Sequence, residues 1–317
     1  MSSAARFIYA DNAATTRLLP QVLDKMIPYL TEEYGNPSSL YSFGQAARQG
    51  VDAARITMAE CLHCRPDEVF ITSGGSEADN WALKMVAESL EKKGKKHIVS
   101  TVFEHHAILH ALNALEKRGF EITLLPVYEN GIVRVEDVAA AIRPDTALVS
   151  VMFANNEIGT IQPIAEIGAV CRERGVLFHT DAVQAVGAIP VDVKELGVDM
   201  LSMSAHKFNG PKGMGALYCK KGVWPQNLID GGSQEARHRA GTENVPYIVG
   251  LGKAIEIAAQ KLPEESKRVA ALRDRLMDGL LERIPDIKIN GDRENRLPGN
   301  VNVSIKYVEG ESLLMML

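Results

Sequence analysis

The feature that most constrains the fold is a regular alternation of short β-rich runs with helical patterns, which begins near residue 68. Runs rich in β-branched and other apolar residues predict strands at Glu68–Thr72, His97–Thr101, Glu121–Pro126, Ala147–Phe153, Val176–Asp181 and Asp199–Ser202. Apolar residues at three- and four-residue spacing predict helices between them at Glu77–Lys92, Ala107–Arg118, Val135–Ile142 and Ile164–Arg174. Alternation of this kind is typical of βαβ units. A further run, Gly213–Cys219, follows a loop too short for a helical crossover, so it should be antiparallel. We therefore predict an α/β fold with a mixed, mainly parallel sheet and helices on both faces.

The C-terminal part of the sequence has a different pattern. After Thr242, two long helical stretches, about Pro246–Lys261 and Glu264–Arg283, precede a β-like run at Gly299–Ile305. A chain of 317 residues exceeds the usual size of one hydrophobic core, so these segments predict a second, smaller α+β domain. The helix-type run Glu311–Leu317 ends on its apolar face without a capping residue. We therefore expect this domain to be incomplete and the chain to be a fragment of a longer one.

Composition and charge exclude several classes of function. With 46% hydrophobic and 24% charged residues, the sequence is that of a globular enzyme. The net charge of −5 and the absence of a dense Lys/Arg stripe argue against direct nucleic-acid binding. No apolar run reaches the ~18 residues of a membrane span, and the N-terminus lacks a secretory pattern, so we predict a cytoplasmic protein without membrane contact.

The cysteine pattern is equally sparse. Cys61, Cys64, Cys171 and Cys219 do not form a disulfide framework, which agrees with a reducing compartment. The Cys61–Cys64 pair has no second pair of ligands and no thioredoxin-like strand before it, so a structural role is favoured over a redox or zinc site. No metal site is predicted.

Polar residues accumulate where the predicted strands end. In open α/β sheets, ligands bind beyond the carboxyl ends of the strands. The first predicted strand runs into Ser73–Glu77 and then a helix, where glycines and free helix amides could receive a phosphate. An ordinary strand-to-helix turn would have the same residues, so this loop alone is a weak signal.

Two further strand ends supply a carboxylate and an amine. Asp181 ends one predicted strand and Lys207 shortly follows the next, although either residue alone would be uninformative. Pyridoxal phosphate (PLP) requires a lysine for its Schiff base, an acid beside its pyridine nitrogen and an anchor for its phosphate. Together with the Ser73–Glu77 loop, these residues therefore predict PLP on Lys207.

Two other segments fit the same edge. Asn155 and Asn156 follow the strand Ala147–Phe153 and offer amides for the phenolate oxygen of the cofactor. His105 follows the strand His97–Thr101 and could stack on the pyridine ring or move protons. The alternatives are a plain turn at the two asparagines and a helix-capping role for His105.

The chain resembles the NifS/IscS-type cysteine desulfurases, PLP enzymes of the class-V aminotransferase group. The resemblance extends almost from end to end, over the ordered segments Tyr9–Thr16, Gly35–Ser39, Thr72–Asn80, Glu104–His105, Asn155–Gly159, Asp181–Gln184, Ser204–Lys207, Gly210–Gly213, Arg239–Thr242 and Val308–Ser312. It implies the fold of PLP-dependent transferases of the aspartate aminotransferase type. The large PLP-binding domain would span 15–258, and the small domain 1–14 and 259–317.

The resemblance also implies roles for single residues. Lys207 would carry PLP and abstract the substrate Cα proton, and His105 would stack on the ring. Asp181 would pair with the pyridine nitrogen, and Gln184 and Asn156 would contact the ring oxygen. The phosphate would be held by Gly75, Ser76, Ser204 and His206, and by Thr242 of a neighbouring subunit in a homodimer. The implied reaction converts L-cysteine to L-alanine and passes the sulfur, as an enzyme persulfide, to iron–sulfur scaffold proteins or thiolation pathways.

One part of the family pattern is missing. The resemblance places the nucleophilic cysteine and the arginine that binds the substrate carboxylate after the segment matching Glu309–Leu317, beyond the residues of this chain. Two alternatives therefore stay open. One is a selenocysteine or cysteine-sulfinate lyase of the same fold, which needs no thiol nucleophile. The other is a catalytically silent, dimerising partner.

Overall fold

The computed structural model describes residues 8–223 and 226–316, and its centre is a seven-stranded sheet. The strands are β1 (Val69–Thr72), β2 (His97–Thr101), β3 (Glu121–Leu125), β4 (Thr146–Ser150), β5 (Leu177–Asp181), β6 (Met200–Ser204) and β7 (Gly215–Cys219). Their order is β1-β7-β6-β5-β4-β2-β3, and β7 is antiparallel to both of its neighbours while all other pairs are parallel. The predicted mixed, mainly parallel sheet is confirmed, including the antiparallel direction of β7.

Helices cover both faces of this sheet. They are α1 (Pro20–Thr31), α2 (Ser42–Leu62), α3 (Gly75–Glu91), α4 (His106–Glu116), α5 (Val135–Ala141), α6 (Ile164–Arg174), α7 (Val193–Leu196), α8 (Val245–Arg283) and α9 (Gly310–Met316). Successive strand side chains point to opposite faces. Phe70 accordingly packs into one apolar cluster with Trp81 of α3, and Ile71 into the other with Leu251 of α8.

The two helices predicted after Thr242 are one continuous helix. The 39-residue α8 contains Pro263, which lies between the two predicted stretches. A proline inside a helix removes one backbone hydrogen bond, but each added residue on either side gains one, so a long helix can continue past it. The N-terminal half of α8 packs closely on α1 and α2. A Cβ added at Gly252 would lie 2.7 Å from the Cβ of Ala54.

The C-terminal segment forms a small separate sheet. β8 (Ile287–Ile289) pairs with β9 (Val303–Ile305) in an antiparallel hairpin, and only β9 was anticipated. Helix α9 coincides with the predicted C-terminal helix, whose last residue, Leu317, lies outside the described residues. The domain limits at 15 and 258 stay a prediction. None of the helices in the described part of the chain is long and apolar enough to cross a membrane.

The segment before α1 crosses the carboxyl ends of the strands. The Thr16 amide donates a hydrogen bond of 2.9 Å to the His206 carbonyl, and the Asn209 amide donates one of 2.7 Å to the Thr16 hydroxyl. These contacts join residues about 190 positions apart in sequence. As a result, residues 11–15 form a wall over the end of β6.

Candidate active site

The largest cavity described, of about 570 Å³, opens at the carboxyl ends of β1, β5 and β6. Its volume lies within the ordinary range of small-molecule and cofactor sites. The predicted site residues on its lining are Gly75, Ser76, His105, Asn156, Asp181, Gln184, Ser204, His206 and Lys207. Thr242 is not among them. It lies exposed beside a second cavity of about 170 Å³, with Ser73 and Arg239.

Lys207 lies in a single 3₁₀ turn directly after β6. Its Nζ donates a hydrogen bond to the Ala13 carbonyl and one of 3.0 Å to the Ala14 carbonyl. Burial lowers the pKa of the Lys207 ammonium, and the charges of Asp181 and Asp11 oppose that shift. A lowered pKa increases the fraction of neutral amine, which is the form that attacks a carbonyl or accepts a proton.

Asp181 ends β5 and is 5% exposed. Its Oδ1 accepts a hydrogen bond of 2.9 Å from the Val183 amide. Burial raises the pKa of the Asp181 carboxyl, while that hydrogen bond and the charges of His105 and Lys207 lower it. The Val183 amide and the Lys207 ammonium therefore favour the carboxylate form against the burial that raises its pKa, and the protonated nitrogen of a bound pyridine ring would act in the same direction.

The loop between β1 and α3 has the backbone geometry of an anion site. Gly74 has φ of 151°, and Gly75 begins α3, where the first amides have no acceptor within the helix. A Cβ on Gly75 would lie 2.5 Å from Cγ2 of Val183. A side chain at position 75 would therefore have to displace the Val183 side chain, whereas glycine lets the backbone lie close to it. This cradle and the amine and carboxylate beside it fit the phosphate, aldehyde and ring nitrogen of PLP.

His105 is a helix cap, as one of the two alternatives proposed, and it also borders the cavity. It is the N-cap of α4, and its Nδ1 accepts a hydrogen bond of 3.1 Å from the Ala107 amide. Because Nδ1 is the acceptor, the proton of the neutral ring is on Nε2. The same ring borders the cavity.

The three amide side chains near the cavity make different contacts. Asn155 is buried, donates a hydrogen bond of 3.0 Å to the Phe103 carbonyl and accepts from the amides of Glu157 and Ile158, so it shapes the loop. Asn156 is the one that borders the cavity. Gln184 donates a hydrogen bond of 3.0 Å to the Ala13 carbonyl.

His206 connects the site to the N-terminal wall. Its Nδ1 lies 3.0 Å from the Thr15 hydroxyl. Burial, and then the charges of Lys207 and Lys212, lower the pKa of the His206 imidazole.

Sequence reasoning missed several residues of the lining: Asp11, Ala13, Ala14, Asp79, Met152, Glu157 and Val183. The first three belong to a segment that carried the family resemblance but had no role assigned. Asp79 could have been found, because it lies four residues after Gly75 and therefore on the same face of α3.

Asp79 forms a cluster with Asp181 and His105. Each of the three offers a ligand atom, and these atoms lie within 4.8 Å of one another. Two carboxylates and an imidazole could also hold a metal ion. A metal would not require the adjoining Lys207 amine or the Gly74–Gly75 cradle, whereas PLP uses both.

The cysteines are poorly suited to nucleophilic catalysis. None of them borders the cavity, and all four are free thiols. Burial raises the pKa of Cys61 to about 11 and the pKa values of Cys64, Cys171 and Cys219 to about 12. Reactive cysteines have lowered, not raised, pKa values.

Comparison with known proteins identifies the family. The profile of the family Aminotransferase class-V matches residues 8–317. The cysteine desulfurase IscS of Clostridium botulinum (strain Hall) is 56% identical over 310 residues, which cover 97% of this chain and 78% of the relative. Among solved structures, a NifS-like protein superimposes with a TM-score of 0.94 at 42% identity, over 97% of this chain and 84% of that one. The structure described as SspA in complex with cysteine has a TM-score of 0.86 at 34% identity, over 98% and 86%. The chain therefore belongs to the PLP-dependent class-V aminotransferase family and, within it, to the cysteine desulfurases.

Proposed function

We propose that this protein binds PLP through Lys207 and converts L-cysteine to L-alanine, with the sulfur leaving as a persulfide on an enzyme cysteine. The observation that carries the proposal is that the Lys207 amine, the Asp181 carboxylate, and Gly75 and Ser76 at the start of α3 line one cavity of about 570 Å³. The relatives are cysteine desulfurases, and one similar structure is described as a complex with cysteine, which supports cysteine as the substrate. They favour a desulfurase over the lyase and the silent partner.

Each of the chain's own site residues would have a separate role in the reaction. Bound PLP supplies an electron sink for charge that develops at the substrate Cα. Asp181 would hold the ring nitrogen through charge, and His105 would lie against the ring. The amides of Asn156 and Gln184 would orient the ring oxygen. Lys207, partly buried and with a lowered pKa, would take and return the Cα proton.

The phosphate would lie at the N-terminus of α3. Gly75 and Ser76 would donate backbone amides, and Ser204 and His206 line the same cavity. The exposed Thr242 does not reach this cavity in one chain, which supports the proposal that it serves the phosphate of a second copy. A homodimer by sedimentation analysis is expected, and a monomer under all conditions would contradict this assignment.

The sulfur would pass to a cysteine other than the four present here. Their raised pKa values and their absence from the cavity lining argue against each of them. Transfer onward to an iron–sulfur scaffold or a thiolation pathway, and a cytoplasmic location, stay predictions.

The attachment to Lys207 can be tested directly. The full chain is incubated with PLP, treated with borohydride to fix any imine, digested and analysed by mass spectrometry. We expect the adduct on Lys207, and its loss together with the visible absorption in Lys207→Ala. Lys212→Ala is a matched control, because Lys212 is exposed, five residues away and outside the cavity lining. Adduct on another lysine, or none, would refute the proposal.

A further inference from the structure

The Asp79 carboxyl is an unexplained group at the base of the candidate active site. It lies on the second turn of α3, is 1% exposed and borders the main cavity. Its Oδ1 has no hydrogen-bond partner among the described residues. Ser100 Oγ and Glu104 Oε2 also have no partner among the described residues, but of the three residues only Asp79 borders the cavity. Because buried polar atoms in native proteins are nearly always paired, an unpaired oxygen at a ligand cavity calls for a functional account.

Charged and titratable groups approach Asp79 from every neighbouring element. Asp181 and His179 come from β5, and Glu104 and His105 from the loop after β2. Lys207, in the turn after β6, lines the same cavity and acts on Asp181. His179 does not supply a counter-charge. Its ring nitrogens lie 2.9 Å from the Ser150 hydroxyl and 3.0 Å from the Ser202 hydroxyl, and burial lowers its pKa to about 3.

The cluster therefore holds more carboxyls than nearby positive charge. Glu104 accepts hydrogen bonds from Thr101 and the Met152 amide, and burial raises its pKa to about 8. The Lys207 amine is hydrogen-bonded to Ala13 and Ala14. Two desolvated carboxyls whose oxygens lie within 4.8 Å cannot both ionise at little cost. Desolvation and mutual repulsion therefore favour a proton on one of Asp79 and Asp181.

The hydrogen bonds decide which of the two is protonated. Asp181 accepts a hydrogen bond from the Val183 amide and lies near His105 and Lys207. All three groups stabilise the Asp181 anion. Asp79 has an oxygen without a donor, and both burial and the Asp181 charge raise its pKa, with only a Ser202 contact opposing them. The proton therefore belongs on Asp79.

We propose that Asp79 is a positioning residue that stays protonated and directs its O–H towards the Asp181 carboxylate, so that the pair presents one negative charge to the cofactor ring nitrogen. This inference rests on the proposed PLP function. A neutral donor behind Asp181 orients that carboxylate without adding a second charge. It also moderates the basicity of Asp181, and thereby the proton on the ring nitrogen.

The protonation state is measured first, without the cofactor. Infrared spectra of the full apo chain in D₂O at pH 7 report the carbonyl stretch of protonated carboxyls. Asp79→Asn should remove one such band, and Glu104→Gln, the matched control, should remove a different one. Circular dichroism and thermal melting check that each variant folds. If Asp79→Asn removes no carboxylic-acid band, Asp79 is ionised and the proposal is overturned, whatever PLP does.

Cofactor binding is measured second, by titration with PLP. Asp79→Asn keeps a neutral donor and should bind PLP within about threefold of the wild type. Asp79→Leu replaces the donor with an apolar side chain of similar size. It should weaken PLP binding by about tenfold or more, which is the effect of a change of one unit in pKa. It should also shift the pH profile of the visible absorption. Equal binding by the leucine variant would overturn the role of Asp79 while the PLP function stands. Failure of the wild type to take up PLP would refute the function, and the infrared result would still decide the proton.

Discussion

Replacing Glu235 with alanine should remove a large part of this protein's stability. Glu235 is buried and accepts hydrogen bonds of 2.9 and 2.7 Å from the Arg55 guanidinium and one of 2.9 Å from the Ile71 amide of β1. Arg55 also donates to the Val69 carbonyl. The side chain therefore joins α2, β1 and the loop that leads to α8.

The loop that Glu235 anchors is strained. Glu235, Ala236 and Arg237 have φ values of 45°, 55° and 74°, three consecutive left-handed residues with side chains. Each such residue costs roughly 1–2 kcal/mol. The turn persists because the contacts of Glu235 offset that cost.

The size of the effect follows from the buried groups that lose their hydrogen-bond partner in the variant. In Glu235→Ala the Arg55 charge, 17% exposed, and the Ile71 amide lose their partner. Removing one member of a buried ion pair typically costs about 3–5 kcal/mol. We expect a loss of that order in the free energy of unfolding from urea titration at pH 7. That is much of the 5–15 kcal/mol of a typical domain.

Two controls separate this reasoning from general fragility. Glu265→Ala breaks an exposed pair with Arg268 and should change the free energy by less than about 1 kcal/mol. Ala236→Gly relieves a left-handed residue and should leave stability unchanged or raise it by up to about 1 kcal/mol. A loss below about 1 kcal/mol for Glu235→Ala, or destabilisation by Ala236→Gly, would refute the argument.

Two further predictions concern the site. Gly75→Ala places a Cβ 2.5 Å from Val183 Cγ2, so PLP affinity in a fluorescence titration should fall by about tenfold or more, which corresponds to a distortion of about 1.4 kcal/mol. The control Gly279→Ala, which has open space around its Cβ, should leave the affinity unchanged. Equal affinities of the two variants would contradict a role of the Gly74–Gly75 loop in binding the phosphate. Glu104 has a folded-state pKa of about 8 against 4.5 when unfolded, so the folded state binds the extra proton, and the contribution of Glu104 to stability should fall as pH rises from about 5 to 8, by up to roughly 5 kcal/mol. The lowered pKa of His179 acts in the opposite direction in the acidic part of that range. Urea midpoints should therefore fall more steeply, or rise less, with pH in the wild type than in Glu104→Gln; the same slope in both would show that another group is responsible.

Much of the fold followed from local patterns. Most strands of the sheet were predictable because they are buried on both faces and rich in β-branched and other apolar residues, as in β4, where every residue is buried. The edge strand β3 is partly exposed. The direction of β7 followed from the length of the loop before it. The site at the strand ends followed from the rule that open sheets bind ligands there, which places Asp181 and Lys207 together without any knowledge of distances.

Other features depend on contacts between distant parts of the chain. Pro263 is a break by local rules but lies within one helix. β8 is short and forms only because β9 lies across from it, so no periodicity identified it. The Ala13 carbonyl reaches the Lys207 amine across 194 positions, and nothing in either segment specifies that pairing.

The sequence by itself determined which chemical groups are present and at which ends of the strands they lie, because strand and helix periods are local and parallel strands share one carboxyl edge. Only the tertiary structure decided how those groups interact. It buries Asp79 beside Asp181 with an unpaired oxygen, places His105 as both helix cap and cavity wall, and leaves Thr242 outside the cavity. These outcomes depend on desolvation and on distances of a few ångströms between residues far apart in sequence, and no local pattern encodes either.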